Sequence, residues 1–206
     1  DLLVEIGTEE LPPKDLHRLI EAFEREMVAA FAAADLSHGT VTAYATPRRL
    51  ALEVADLVAS QPERQIERRG PAVAVAFDED GNPTKAAQGF ARSCGVEIEH
   101  LDRIRTEKGE WLVFRTTEVA QFTLSLVAPM VNEALGKLPI SRRMRWGSGD
   151  AQFVRPVQWV LILFGDTVVE AEVMGIESGG TTRGHRFHHP DPIPVSHPGE
   201  YASLLY

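Results

Sequence analysis

Residues 2–34 read LLVEIGTEELPPKDLHRLIEAFEREMVAAFAAA, and this stretch decides the fold class. The opening LLVEI is apolar apart from Glu5 and reads as a short buried strand. A double proline at Pro12 and Pro13 suits a helix start, because a helix leaves its first N–H groups unpaired. From Lys14 to Ala34, Leu16, Leu19, Ile20, Phe23, Met27 and Phe31 recur at steps of three and four, with Glu21, Glu24, Arg25 and Glu26 between them. That period gives a helix one apolar stripe and one solvated face. Beyond a break at Ser37-His38-Gly39, TVTAYAT and LALEVADLVA alternate as two strands joined across TPRR. The first unit is therefore strand, helix, strand, strand.

Working outward, SQPERQIERRG (60–70) turns polar and charged and reads as a linker or solvated edge. NPTKAAQGFARSCG (82–95) predicts a short helix stopped by Gly95. LDRIRT and WLVFRTT flank the loop EKGE as a hairpin, and Leu124, Val127, Val131, Leu135 and Leu138 mark a second amphipathic helix. SRRMRWGSGDAQFVRP (141–156) is a basic, glycine-bearing loop. VQWVLILF and TVVEAEVM then face each other across Gly165-Asp166 as an apolar hairpin, the segment after Gly175 is rich in loops, and YASLLY starts another helix. The expected architecture is α+β, with mixed or antiparallel sheets packed against a few amphipathic helices in two subdomains. Residues 1–62 would join the β-rich 140–206, with 63–139 an inserted helix-hairpin-helix unit.

The 206 residues are 44% hydrophobic, enough for a sizeable core, and no apolar run approaches the ~20 residues that cross a bilayer. Cys94 is the single cysteine, which excludes an intramolecular disulfide and a cysteine-based zinc site, and a reducing cytoplasm is the expected compartment. GxSxG, P-loop and GxGxxG patterns and the EF-hand spacing are all missing, so no catalytic residue is nominated. The carboxylates of FDEDGN (77–82) read as an acidic turn.

A net charge of −9 speaks against a surface that is uniformly a nucleic-acid footprint. Yet 17 of the 21 basic residues are arginine, and they are knotted: Arg48 with Arg49; Arg64, Arg68 and Arg69; Arg142, Arg143 and Arg145; Arg183 and Arg186. Guanidinium forks bind phosphate bidentately and stack on bases. Trp146 and Phe153 lie among Arg142, Arg143, Arg145 and Arg155, a mixture that suits RNA. The alternative is that these aromatics anchor the loop on the core while the arginines pair with the surplus acids. GGTTRGHRFHHP (179–190) adds an H-x-x-H-H spacing at His185, His188 and His189, with Asp191 and His197 nearby. A zinc site is conceivable there, but Gly184 and Pro190 make a poor helix, so solvated loop histidines are the simpler reading and no metal ligand is nominated.

Three stretches together resemble the β subunit of the bacterial heterotetrameric glycyl-tRNA synthetase: LLVEIGTEELPP; RRGPAVAVAFDEDGNPTKAAQGFARSCGV; and MRWGSGDAQFVRPVQWVLILFGD followed by TTRGHRF. The resemblance runs in order from Leu2 to about Phe187. It implies an α2β2 ligase that joins glycine to tRNA(Gly) with ATP and magnesium, the adenylate forming in the α subunit. This chain would be an N-terminal fragment, catalytically inert alone and holding no cofactor. Its expected partners are the α subunit, tRNA(Gly) and a second β subunit, with no DNA and no membrane. The family's β subunit also bears a weak resemblance to parts of the phenylalanyl-tRNA synthetase β chain, to which VVEAEVMGIESGG would correspond. Within the resembling stretches the RNA- or subunit-contact candidates are Arg48, Arg49, Arg68, Arg69, Arg145, Trp146, Arg155, Arg183, His185 and Arg186. At this level it stays open whether these arginines hold RNA or hold the fold.

Overall fold

The structure is a computed structural model that describes residues 1–107, 109–189 and 191–205. Lys108 of the EKGE loop, Pro190 of the histidine-rich stretch and Tyr206 of YASLLY lie outside the described residues. The chain divides into two compact units, Asp1–Gln61 with Gln121–Tyr206, and Pro62–Ala120.

The first unit begins with β1 (Leu2–Thr8), all seven residues of which are buried, followed by α1 (Pro13–Ala33), with Pro13 in its first turn. Leu19, Ile20, Ala22, Phe23, Met27 and Phe31 form the buried stripe of α1, as the three-and-four spacing requires. Each large apolar side chain buried here contributes ~1.5–3 kcal/mol relative to exposure. β2 (Val41–Thr46) and β3 (Arg49–Val54) form the expected hairpin.

The inserted unit comprises β4 (Arg64–Ala72), the short α2 (Val73–Ala76), α3 (Lys85–Cys94), β5 (Asp102–Thr106) and β6 (Gly109–Glu118). Its strands order β4-β6-β5, all antiparallel, over a small core of Ala76, Ala87 and Leu112. Gly95 caps α3 at φ 72, a left-handed conformation that glycine adopts without a Cβ penalty. Two expectations change here. Of the two readings of the polar stretch after Ser60, the solvated edge holds and the linker does not: Arg64–Arg69 pair with Val113–Glu118 of β6 as an edge strand whose side chains are exposed on both faces. A strand wetted on both faces has no alternation to read.

The second change concerns the boundary at 139. The helix α4 (Thr123–Lys137) buries Val127, Met130, Val131, Ala134 and Leu135 in the same core as α1, so it belongs to the first unit and the insertion ends at Ala120. Ser60 bridges Phe122, and Thr123 N–H donates to the Ala59 carbonyl at 2.9 Å, bringing the two ends of the insertion together.

The chain continues through β7 (Met144–Arg145), β8 (Gln152–Phe153), β9 (Val157–Phe164), β10 (Thr167–Val168), β11 (Glu172–Val173), β12 (Ile176–Gly179), β13 (Thr181–Arg183), β14 (Pro192–Pro194) and α5 (Tyr201–Leu205). The main sheet orders β11-β12-β9-β1-β3-β2, with β10 also on β9. β9 and its successor form a hairpin for two residue pairs only. Met174 and Gly175, at φ 52 and 79, turn the chain so that β12 returns parallel to β9. TVVEAEVM is thus two short strands, not one long one.

Strand alternation assigns the faces. Leu2, Val4, Ile6, Leu50, Leu52, Val160 and Ile162 point to the core beneath α1 and α4. Leu3, Ala51, Leu161 and Leu163 face Val195 and Tyr201, contributed by the C-terminal segment. The candidate site is on this second face.

Candidate functional site

The antiparallel register places Gly7 opposite Arg49 on one side and Trp159 on the other. The next row on the same face is Ala51, Glu5 and Leu161. Glu5, the one charge in LLVEI, therefore lies fully buried beside a tryptophan and an arginine. Trp159 Nε1 donates to its carboxylate at 2.7 Å, Thr182 Oγ1 donates to it at 2.6 Å, and Arg49 forms an ion pair at 3.5 Å. Arg49 also donates to Thr182 Oγ1 at 3.2 Å and to the Arg183 carbonyl. This is how a buried carboxylate is tolerated: it is paired and its lone pairs are used.

Gly7 is required by the same geometry. A Cβ there would lie 2.0 Å from the Trp159 ring, so the indole crosses β1 only because the side chain is missing. Three guanidinium groups ring that indole, with Arg48 at 6.0 Å, Arg49 at 6.0 Å and Arg183 at 5.7 Å from it. Such an arrangement combines cation–π attraction with a local concentration of positive charge. Tyr201 closes the buried end. Its hydroxyl lies near Glu5 and Arg49 without a well-formed hydrogen bond, and burial first, then the Glu5 charge, push its ionisation well above the ordinary tyrosine range.

Above this row opens a cleft of about 490 Å³, lined by Glu10, Thr46, Pro47, Arg48, Arg49, Trp159, Gly184, His185, Arg186, Phe187 and Leu205. Its walls come from two distant stretches. The Thr46–Arg48 turn is tied to the N-terminal segment by Thr8 N–H to Arg48 O at 2.8 Å and Leu11 N–H to Pro47 O at 2.6 Å. The 184–187 wall is a turn held by His189 N–H to His185 O at 2.8 Å. Gly184 fits because a Cβ would stand 2.7 Å from that of His189. Phe187 projects from this wall and is 80% exposed.

The nominated residues separate by what they touch. Arg48, Arg49, His185 and Arg186 line one cleft, with Arg183 beside its indole. Arg145 and Arg155 line a second of about 570 Å³, together with Arg142, Arg143 and Asp15. Arg155 there donates to the Glu10 carbonyl at 2.9 Å, Arg143 to the Gly136 carbonyl at 2.7 Å, and Arg145 approaches Asp150 at 3.5 Å. Trp146 packs on the main core and Phe153 is fully buried, so the aromatics of this loop are anchors. Arg68 and Arg69 belong to the inserted unit: Arg68 donates to the Ser93 carbonyl at the end of α3 at 3.0 Å, and Arg69 sits 4.0 Å from the Trp111 ring. The histidines of H-x-x-H-H stack, His185 on His188 at 4.6 Å, and among the described residues no group of three His, Cys, Asp or Glu is arranged to hold a metal.

Sequence reasoning missed Glu5, Trp159, Thr182 and Tyr201. A carboxylate alone inside an apolar strand was the readable signal for the first. Trp159 was hidden inside a run where every residue looked like core.

The comparisons with known proteins agree over the whole chain. The family model described as glycyl-tRNA synthetase beta subunit matches residues 2–206. Glycine--tRNA ligase beta subunits of Hahella chejuensis, Cronobacter sakazakii and Vibrio cholerae are 49%, 50% and 49% identical to it, over 100%, 98% and 100% of this chain. The chain spans about 30% of the length of these relatives. With a full-length family match and near-50% identity throughout, the chain belongs to the glycyl-tRNA synthetase β-subunit family.

Proposed function

We propose that this chain is the N-terminal region of a glycyl-tRNA synthetase β subunit and contributes tRNA(Gly) contacts and α/β assembly surface to ATP-dependent glycylation in the cytoplasm. The single observation that carries the RNA part is the cleft over Trp159, where Arg48, Arg49 and Arg186 converge on a chain of net charge −9. Arginine concentrated against a negative background marks a local contact for phosphate. The complete enzyme is an α2β2 assembly in this reading, with glycyl-adenylate formed in the α subunit. The described residues contain no metal-holding cluster, and no step of ATP or magnesium chemistry is assigned to them.

A scaffold reading has its own support at particular positions. Arg49, Arg68 and Arg155 are spent on protein acceptors, so these three hold the fold first. The reading is tested with the assembled α and full-length β subunits, by titrating tRNA(Gly) at several salt concentrations. Arg48→Ala and Arg186→Ala should weaken binding, and each lost phosphate contact should lower the log–log salt slope by ~1. Unchanged affinity and slope in both variants would leave only the scaffold.

A further inference from the structure

Resting on that reading, we propose that the Trp159 cleft takes an unpaired nucleotide of RNA, its base on Phe187 and its phosphate on Arg48 and Arg186. The first observation is shape. At about 490 Å³ the cleft falls within the range of sites that enclose one small ligand, ~300–1,000 Å³, and is too confined to admit a helical duplex.

The second observation is the aromatic ring at its wall. Phe187 is 80% exposed, with the Arg186 guanidinium 6.0 Å from the ring and the His185 ring 6.1 Å away. An exposed phenylalanine costs apolar hydration and returns nothing to the fold. Beside cations it is the platform on which an unstacked base settles, since every base has a π-face. Trp159 cannot serve this way, because it is 8% exposed and committed to Glu5 and to the arginines around it.

The third observation is guanidinium charge at the cleft, which Arg48, Arg49 and Arg186 line. The Nε groups of Arg48 and Arg49 are buried, and neither has an acceptor among the described residues. These Nε atoms have no accessible surface, so a phosphate entering the cleft meets the terminal guanidinium nitrogens of Arg48, which is partly exposed and faces Glu9 at a loose 4.0 Å. The carboxylate nearest this indole does not compete for the ligand, because Glu5 is already held by Trp159, Thr182 and Arg49.

The test uses the assembled holoenzyme with two probes, a short single-stranded oligoribonucleotide and a blunt duplex of the same sequence, alongside tRNA(Gly). Phe187→Ala should weaken single-strand binding about tenfold, leave the duplex unchanged, and weaken tRNA(Gly). Phe187→Tyr, which keeps the ring, should bind the single strand like the unmodified enzyme. Substitution at so exposed a position leaves the fold intact, which thermal melting checks directly. Equal loss for single strand and duplex, or no loss for either, overturns the nucleotide inference. If Arg48→Ala and Arg186→Ala still reduce tRNA(Gly) affinity in that case, the RNA-contact function stands without it. Loss of α-subunit association with RNA binding unchanged also overturns it and makes Phe187 a protein contact.

Discussion

The Arg48–Arg49 corner and the Arg142–Arg155 loop look alike in sequence, since both are knots of arginine near aromatic residues, yet they differ in what lies beneath them. Under the first run two neighbouring sheet rows, one in which Trp159 supplies a flat floor and the next in which Glu5 supplies a buried negative charge. Under the second the acceptors are the ends of other elements: the Gly136 carbonyl near the end of α4, the Gln152 carbonyl of β8, and the Glu10 carbonyl ahead of α1. In the first place arginine answers a buried charge while also donating to Thr182 and the Arg183 carbonyl; in the second it chiefly fastens loops through backbone carbonyls. The lesson is that a guanidinium's role is set by its acceptor, and a local sequence rarely names the acceptor.

The sharpest way to break this comparison is at the charge. Glu5→Ala leaves the Arg49 guanidinium buried without its carboxylate and frees the Trp159 N–H, so a loss of about 3–5 kcal/mol is expected in urea unfolding. Arg155→Ala, which breaks a half-exposed bond to a carbonyl, should cost far less. Equal losses for the two would mean that the two arginine regions are held in the same way.

Next in size is Gly7→Ala. The added Cβ would fall 2.0 Å from the indole, so either β1 or Trp159 must move, at a cost of about 1–3 kcal/mol and with a changed tryptophan emission spectrum. The expectation is specific to this corner, because Gly149 of the other loop has open space where its Cβ would be. Gly149→Ala is the matched control and should leave the emission unchanged.

Smaller again is Arg143→Ala, which removes donors from the Gly136 and Gln152 carbonyls. Both acceptors are at exposed positions where water can replace the guanidinium, so about 0.5–1.5 kcal/mol is expected by the same unfolding measurement. If tRNA(Gly) affinity also falls several-fold, the loop is more than a fastening.

How much of this was legible follows from period and distance along the chain. The helix α1 and the hairpin of β2 and β3 were readable because each buries one face, which writes its period into the sequence. β4 was not, because Arg64–Arg69 are exposed on both faces and only backbone pairing with β6 makes them a strand. The membership of α4 was not, because its partner α1 lies about a hundred residues earlier. At the site, Arg48 and Arg186 stood out as charges, but their meeting depends on the register that puts Arg49, Gly7 and Trp159 in one row, and no local pattern encodes that. Glu5 could have been found, since a lone carboxylate between Val4 and Ile6 needs a buried cation.

The smallest effect at neutral pH separates the two regions by acid–base behaviour. Tyr201 is buried against the Glu5–Arg49 pair with its ionisation pushed up, chiefly by burial, from the ordinary value of 10.0. In the unfolded chain the phenol loses its proton near that ordinary value, whereas in the fold it keeps it. Below pH ~10 both states are protonated and the group contributes no pH dependence. Above it the unfolded state alone releases a proton, so stability falls as pH rises. Tyr201→Phe removes this term. Since the hydroxyl has no well-formed partner, the substitution should leave unfolding at pH 7 within about 1 kcal/mol of the original and flatten the alkaline decline. An unaltered decline above pH 10 in the variant would place the alkaline sensitivity elsewhere, and a large loss at pH 7 would mean that the hydroxyl is a working member of the Glu5 network.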